Sequence, residues 1–390
     1  MAQRNVLAGA NFSGRSAALR ALLQSDALVG KAFLIGPYAE AALSGLTNTV
    51  RDEVALYGMQ TPNGGNCFAA ENFAEMQLRD PQSLSGGEQV MLALHCFSQS
   101  AYRTIAVDTA FEQLDPTNRA AALDHLRTCD ADIFLIDNRA APEGFTATPA
   151  QPQAREFSID WAALAALSAP QKAAGISITN LNFNYPGTAR IFVNAGIDLE
   201  PRHAYRVSGA NGAGKTTLFK ILVGALAPDT AEMTLGGQTY RPWRDGNRAL
   251  ALATQNPDQQ WCGATLREDM TRRRRIATRH GNAERISDER LQSYTRALGN
   301  VSLDAHLYEL PLAARKRLSW SWPFAGVHPW ILLDEPTVGQ DRATRESLAR
   351  HLTLMCEQGY GVLFVTHDDE FAASLPHRVL LVANRAITLR

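Results

Sequence analysis

Gly209-Ala210-Asn211-Gly212-Ala213-Gly214-Lys215-Thr216 is the stretch on which the reading of this chain turns. Ala204-Tyr205-Arg206-Val207 before it reads as a strand, and Leu218-Phe219-Lys220-Ile221-Leu222-Val223 after it reads as a helix. Strand, glycine-rich loop and helix in that order make a phosphate cradle. The glycines let successive backbone N–H groups point inward, and the helix N-terminus adds partial positive charge. A lysine closing such a loop reaches the β- and γ-phosphates, and the hydroxyl beside it sits on Mg²⁺. Lys215 and Thr216 hold those two places, in a chain with only five lysines among its 38 basic residues.

A second, damaged loop lies near the N-terminus. Gly9-Ala10-Asn11-Phe12-Ser13-Gly14-Arg15-Ser16 keeps both glycines and the hydroxyl but has arginine for lysine. A planar, forked guanidinium does not replace a compact ammonium. Further on, Leu84-Ser85-Gly86-Gly87-Glu88-Gln89 precedes a helical apolar pattern, and Thr104-Ile105-Ala106-Val107-Asp108 reads as a buried strand ending in an acid. Trp330-Ile331-Leu332-Leu333-Asp334-Glu335-Pro336 is a stronger copy of that strand. Ser85 to Asp108 is 23 residues, and so is Pro311 to Asp334, yet Leu310-Pro311-Leu312-Ala313-Ala314-Arg315 stands where a second Leu-Ser-Gly-Gly-Glu-Gln is expected.

On these motifs the chain resembles a tandem pair of ABC-type ATPase domains. The resemblance implies an α/β fold of two P-loop NTPase units, each a mainly parallel sheet core with a helical subdomain. Gly361-Val362-Leu363-Phe364-Val365-Thr366-His367-Asp368 matches the family's next strand and switch histidine; Ile133-Phe134-Leu135-Ile136-Asp137-Asn138 is its counterpart, with Asn138 for His. Gln255 matches the family's Gln loop, where the first half has Pro37-Tyr38-Ala39-Glu40. Tyr185 matches the aromatic that stacks on adenine. Expected boundaries are residues 1–140 for an abridged first domain, 141–175 for a Pro/Ala-rich linker with a short helix near Trp161–Leu167, and 176–390 for the second domain. The first half starts at the strand before its loop, so nothing in it matches Tyr185. Its run from loop to helix is also shorter, Gly9 to Thr49 against Gly209 to Thr265, which implies a missing part of the small antiparallel layer.

Composition fits two soluble domains: 390 residues, 45% hydrophobic and 20% charged. It excludes a disordered, collagen-like or small disulfide-framed chain. No apolar run reaches the ~18 residues of a membrane span, and no secretory leader is read at the N-terminus. Cys67, Cys96, Cys129, Cys262 and Cys356 lack metal-ligand spacing and suit a reducing compartment. Residues 1–150 carry 10 basic and 16 acidic side chains and residues 151–390 carry 28 and 23, opposite signs compatible with two halves that dock.

In the family each nucleotide lies between two domains packed head to tail, so each site draws on both. The second half keeps Lys215, Thr216, Gln255, Asp334, Glu335 and His367 but lacks the signature; the first keeps the signature but has Arg15, Thr109 and Asn138 at the matching places. Head-to-tail pairing within the molecule therefore gathers the intact parts into one site and the altered parts into the other. The resemblance implies that Tyr185, Asn211, Gly212, Gly214, Lys215, Thr216 and Thr217 bind ATP, capped by Ser85, Gly86, Gly87 and Gln89. Thr216, Gln255 and Asp334 would hold Mg²⁺. Glu335 would orient or deprotonate water, assisted by His367, Gln255 and Lys215. Asp115 matches the loop linking the two sites, a turn-forming Asp-Pro being the lesser alternative; its partner loop has Gln340 for Leu.

Gln255-Asn256-Pro257-Asp258-Gln259-Gln260 and Thr49-Val50-Arg51-Asp52-Glu53-Val54-Ala55 look most like energy-coupling-factor importer ATPases. That implies membrane-embedded partner subunits, a peripheral place on the cytoplasmic face of the membrane, and a vitamin or metal ion as cargo. The alternatives are the ATPase of another ABC importer or exporter, or a soluble non-transport ABC ATPase. Arg272-Arg273-Arg274-Arg275, with Arg279 and Arg285, is read as a solvated helical face rather than a nucleic-acid or lipid site, and no nucleic-acid partner is expected. Trp320, Trp322 and Trp330 are expected to pack near the eroded signature, and His95, His125 and His306 to be structural.

Overall fold

The computed structural model describes residues 3–8, 15–25, 27–58, 76–137, 141–149, 159–167, 173–186, 189–247, 249–279, 287–299, 301–324 and 328–390. Residues 9–14 of the altered loop, Asn138, Cys67 and Arg285 lie outside them. The chain divides into two compact units, Met1–Glu156 with Val338–Asp341, and Phe157–Thr337 with Arg342–Arg390.

In the first unit, β1 (Arg4–Ala8) is followed by α1 (Arg15–Leu23), β2 (Ala32–Ile35), α2 (Val50–Tyr57), α3 (Gly86–Gln99), β3 (Thr104–Asp108), α4 (Pro116–Thr128), β4 (Asp132–Ile136) and β5 (Thr146–Pro149). The sheet order is β2-β3-β4-β1-β5, with every pair parallel. Residues of β3 are all buried, as a central strand covered on both faces requires. The signature turn starts α3 with a capping box: Glu88 N–H donates to Ser85 Oγ at 3.4 Å, and Ser85 N–H donates to Glu88 Oε2 at 2.7 Å. Asp115 caps α4, accepting from Asn118 N–H at 2.8 Å, with Pro116 in the first turn, where its missing N–H costs nothing. β5 falls inside the stretch read as a linker; it finishes the sheet edge beside β1. Among the described residues, this unit has no antiparallel sheet.

The second unit opens with α5 (Trp161–Leu167), the short helix expected within the linker. A four-stranded antiparallel sheet, order β10-β9-β6-β7, is built from β6 (Ile176–Phe183), β7 (Phe192–Leu199), β9 (Thr230–Leu235) and β10 (Gln238–Thr239). Beside it runs a six-stranded sheet, order β11-β12-β13-β8-β14-β15. Its strands are β8 (Ala204–Ser208), β11 (Leu250–Ala253), β12 (Trp330–Asp334), β13 (Gly361–Val365), β14 (Arg378–Ala383) and β15 (Ala386–Leu389). Only the β14–β15 hairpin is antiparallel there, turning at Asn384 and Arg385, both at positive φ. The helices are α6 (Lys215–Leu222), α7 (Leu266–Arg279), α8 (Asp288–Ala297), α9 (Leu312–Phe324), α10 (Arg342–Glu357) and α11 (Asp369–Ala373). One core spans both sheets, from Ile176 and Phe192 to Trp330, Leu363 and Leu380. The order β11-β12-β13-β8-β14 repeats β2-β3-β4-β1-β5 strand for strand.

Candidate functional site

In the second unit, four adjacent parallel strands end on one side of the sheet. Register fixes this: Ala253 pairs Leu333, Asp334 pairs Val365, and Phe364 pairs Arg206. Gln255 follows β11, Asp334 and Glu335 end β12, His367 follows β13, and the loop at 209–214 follows β8. The carboxyl ends of parallel strands are where open α/β sheets bind ligands.

The loop tolerates only glycine at two points. A Cβ on Gly209 would lie 2.4 Å from the Val382 carbonyl oxygen, and one on Gly214 would lie 2.5 Å from Ile191 Cγ2; both residues also have positive φ. Lys215 heads α6 and is largely buried, its Nζ donating to the carbonyls of Gly209 at 2.8 Å and Ala210 at 3.0 Å. Its ammonium thus lies along the loop that would enclose a phosphate. Asn211 Nδ2 is buried with no hydrogen-bond partner among the described residues, a donor within that same loop. Thr217 Oγ1 lies 3.2 Å from the Tyr185 hydroxyl, and Tyr185 stands edge-on to Phe183 with ring centroids 5.0 Å apart.

Thr216 Oγ1 donates to Asp334 Oδ2 at 2.8 Å. Burial raises the Asp334 carboxyl to about 6, with Thr216 lowering it, Glu335 raising it, and Lys316 and Lys215 lowering it. A hydroxyl and a carboxylate side by side are hard oxygen donors that fit Mg²⁺, which takes few protein ligands and completes its shell from phosphate and water. Glu335 is 5% exposed and in the left-handed region, φ 47°. Its N–H donates to the Val365 carbonyl at 3.0 Å. Its carboxylate faces His367, with Nε2 3.5 Å from Oε1 and the His367 N–H donating to Oε2 at 3.4 Å. The arrangement offers a phosphate cradle, a metal-ligand pair and an oriented carboxylate in one place.

The ABC transporter family model matches residues 192–338. The cobalt import ATP-binding protein CbiO of Rhodobacter capsulatus is 30% identical over 206 residues, covering 52% of this chain and 72% of that protein. The chain belongs to the ABC transporter ATP-binding family. Also similar is the energy-coupling factor transporter ATP-binding protein EcfA of Methanothermobacter thermautotrophicus, 28% identical over 218 residues, or 53% of this chain and 67% of that one. A putative ABC transporter ATP-binding protein of Clostridium tetani is 25% identical over 219 residues, 55% of this chain. The match spans only 48% of that relative's length.

In this ABC-family chain the expected site residues fall in two groups. Tyr185, Asn211, Gly212, Gly214, Lys215, Thr216, Thr217, Gln255, Asp334, Glu335 and His367 belong to the second unit; Ser85, Gly86, Gly87 and Gln89 belong to the first, at the head of α3. Within the first unit, Thr109 occupies the place of Glu335 with the same backbone: φ is 57°, and its N–H donates to the Ile136 carbonyl at 2.9 Å. Arg15 is buried, donating weakly to the Asp137 carbonyl at 3.4 Å, and burial lowers its pKa against the pull of Glu112, Asp108 and Asp137.

Of the arginine run, Arg273 bonds Asp269 at 2.6 Å and lies over Trp322; Arg272 reaches Glu268, and Arg274 pairs with Asp288. Trp320 stacks on Trp161, whereas Trp330 belongs to the central core beside Tyr205. His125 bonds Ser98 Oγ at 2.8 Å. No group of three metal-binding side chains occurs among the described residues. Sequence reasoning missed Lys316, fully buried, with Nζ donating to the Glu335 carbonyl at 3.1 Å. Burial lowers it to about 8, opposed by Asp334 and Glu335. The signal available was its scarcity: it is one of five lysines, and it stands in the helix of the eroded signature.

Proposed function

We propose that this chain is the ATP-hydrolysing subunit of an ABC importer of the energy-coupling-factor kind, with one competent composite ATP site and one silent site. The observation carrying this reading is the buried Glu335 carboxylate, set against His367 next to the Thr216–Asp334 pair. The relatives named as cobalt import and energy-coupling-factor ATP-binding proteins support the transport class, and the cargo is a vitamin or metal ion. Residues 1–140 form a degenerate nucleotide-binding domain and 176–390 the intact one, with 141–175 joining them and carrying the edge strand β5 and the helix α5. The two pair head to tail within the molecule, bringing the Ser85–Gly87 turn over the phosphate loop.

Lys215 and the loop N–H groups bind the β- and γ-phosphates, and Tyr185 stacks on the base. Thr216 and Asp334, with Gln255, would hold Mg²⁺, which would neutralise charge on the phosphate oxygens when bound. Glu335 orients the attacking water and accepts its proton at a carboxylate oxygen. His367, anchored on Glu335, contacts the γ-phosphate. Ser85 and Gly87 close the site against solvent. Thr109 has no carboxylate with which to serve the other site.

No described helix is long and apolar enough to cross a membrane. The relatives' names support a proposed location that is peripheral, on the cytoplasmic face, docked to membrane-embedded subunits. Co-purification from mild-detergent extracts, followed by identification of the bound proteins, tests this: a small polytopic membrane subunit is expected, and recovery of ribosomes or DNA alone would overturn the transport reading.

A further inference from the structure

We propose that Lys316 is a positioning residue that fixes the backbone of Glu335, so that the carboxylate is held for water. The inference rests on reading Glu335 as the water-orienting carboxylate. Lys316 is 0% exposed in the middle of α9, and its Nζ reaches across to the Glu335 carbonyl at 3.1 Å. A left-handed backbone at a non-glycine residue persists only where its surroundings over-determine it. At Glu335 both peptide groups are held, the N–H by the Val365 carbonyl of β13 and the C=O by Lys316 from α9. The residue is thus clamped between the sheet and the helical layer. A buried ammonium beside Asp334 and Glu335 also offsets two carboxylates gathered in one dry place.

The molecule contains its own control. By the shared 23-residue spacing, Lys316 corresponds to Val90 on α3, itself fully buried. Thr109 has the same left-handed backbone and the same N–H bond across the sheet, but its carbonyl accepts from the Glu112 N–H of its own turn at 3.1 Å. The cation is present only where the carboxylate is present. A left-handed bend forms without the lysine; what the lysine adds is a fixed carbonyl and a compensating charge next to the reacting group.

Steady-state ATP turnover of the full chain tests the proposal, with affinity for a fluorescent ATP analogue and melting temperature measured alongside. Lys316→Met is expected to lower kcat about ten-fold or more, with KM and analogue affinity within about two-fold. Lys316→Arg, which keeps a cationic donor, is expected to recover most of the loss. In the Glu335→Gln background, Lys316→Met is expected to change residual turnover by less than about two-fold, because the two residues act as a unit. Should Lys316→Met fail to fold, Lys316→Gln takes its place with the same expectations. Wild-type turnover in the neutral variant, an equal loss in both Glu335 backgrounds, or a loss carried by KM alone overturns the proposal. So does failure of both neutral variants to fold, which would assign Lys316 to the core. A Glu335→Gln variant as active as the wild type would instead overturn the reading of Glu335 itself.

Discussion

At the scale of single residues, the second unit's site is a set of buried charges whose neighbours decide what each can do. Glu335→Gln keeps the volume and loses the base; turnover is expected to fall about 100-fold or more while nucleotide affinity persists, measured by phosphate release and by binding of a fluorescent ATP analogue. Asp334 makes a different prediction. Its folded pKa of about 6 lies above its ordinary value of 3.8, so the native state binds the extra proton. The associated loss of stability is absent below pH 4 and fully developed above pH 6. Asp334→Asn is therefore expected to raise the unfolding free energy at pH 8 by on the order of 1–3 kcal/mol, and to leave it unchanged at pH 4. Denaturant titrations at the two pH values check this. Lys215, Thr216, Asp334 and Glu335 were legible in the sequence because the chemistry of phosphate and metal fixes residue type and spacing together. Lys316 was not, because burial of a cation under a distant carbonyl is a tertiary fact with no local pattern.

Helices and strands carry a second layer of information. Thr104–Asp108, Trp330–Asp334 and Gly361–Val365 were readable as strands because each is a continuous apolar run, buried at every position. β5 was not: Thr146–Pro149 is exposed along its length and looks like linker, and only its pairing with β1 makes it a strand. α2 and α7 repeat a detail the motifs did not announce. Glu53 accepts from the Ser44 N–H at 2.5 Å, and Asp269 accepts from the Cys262 N–H at 2.6 Å, so each carboxylate pins the loop before its helix. α5 owes its place to Trp161, whose ring lies 6.4 Å from Trp320 and 5.2 Å from His351, with the Asp160 N–H donating to the Ala297 carbonyl at 2.8 Å. Trp161→Ala is expected to cost about 2–4 kcal/mol in denaturant unfolding. His351, pushed down to about 4 by burial, stays neutral in the native state. The unfolded chain takes up that proton first as pH falls from 6.5 to 4, so stability declines through that window. His351→Phe is expected to flatten the slope there, read from melting temperatures across the same pH range.

Across the whole molecule, the two units share one strand order and differ in equipment. The shared strand order was foreshadowed by two glycine-bearing stretches and two acid-ended strands at equal spacing. The deficit of residues between Gly9 and Thr49 pointed to a reduced antiparallel layer in the first unit, and among its described residues no antiparallel sheet occurs. If the proposed pairing holds, the Ser85 turn governs a site whose lysine is 130 positions away. Ser85→Arg is then expected to abolish turnover, by about 100-fold or more, whereas Leu312→Arg, within the eroded segment Leu310–Arg315, changes it by less than about two-fold. Parallel assays of released phosphate distinguish the two. The left-handed corner at Thr109 closes the comparison. It has the torsion angle and the cross-sheet tie of Glu335 without any acid to present. Sheet architecture, rather than hydrolysis, is what demands that corner. A corner of this kind can therefore persist whether or not the side chain it presents is an acid.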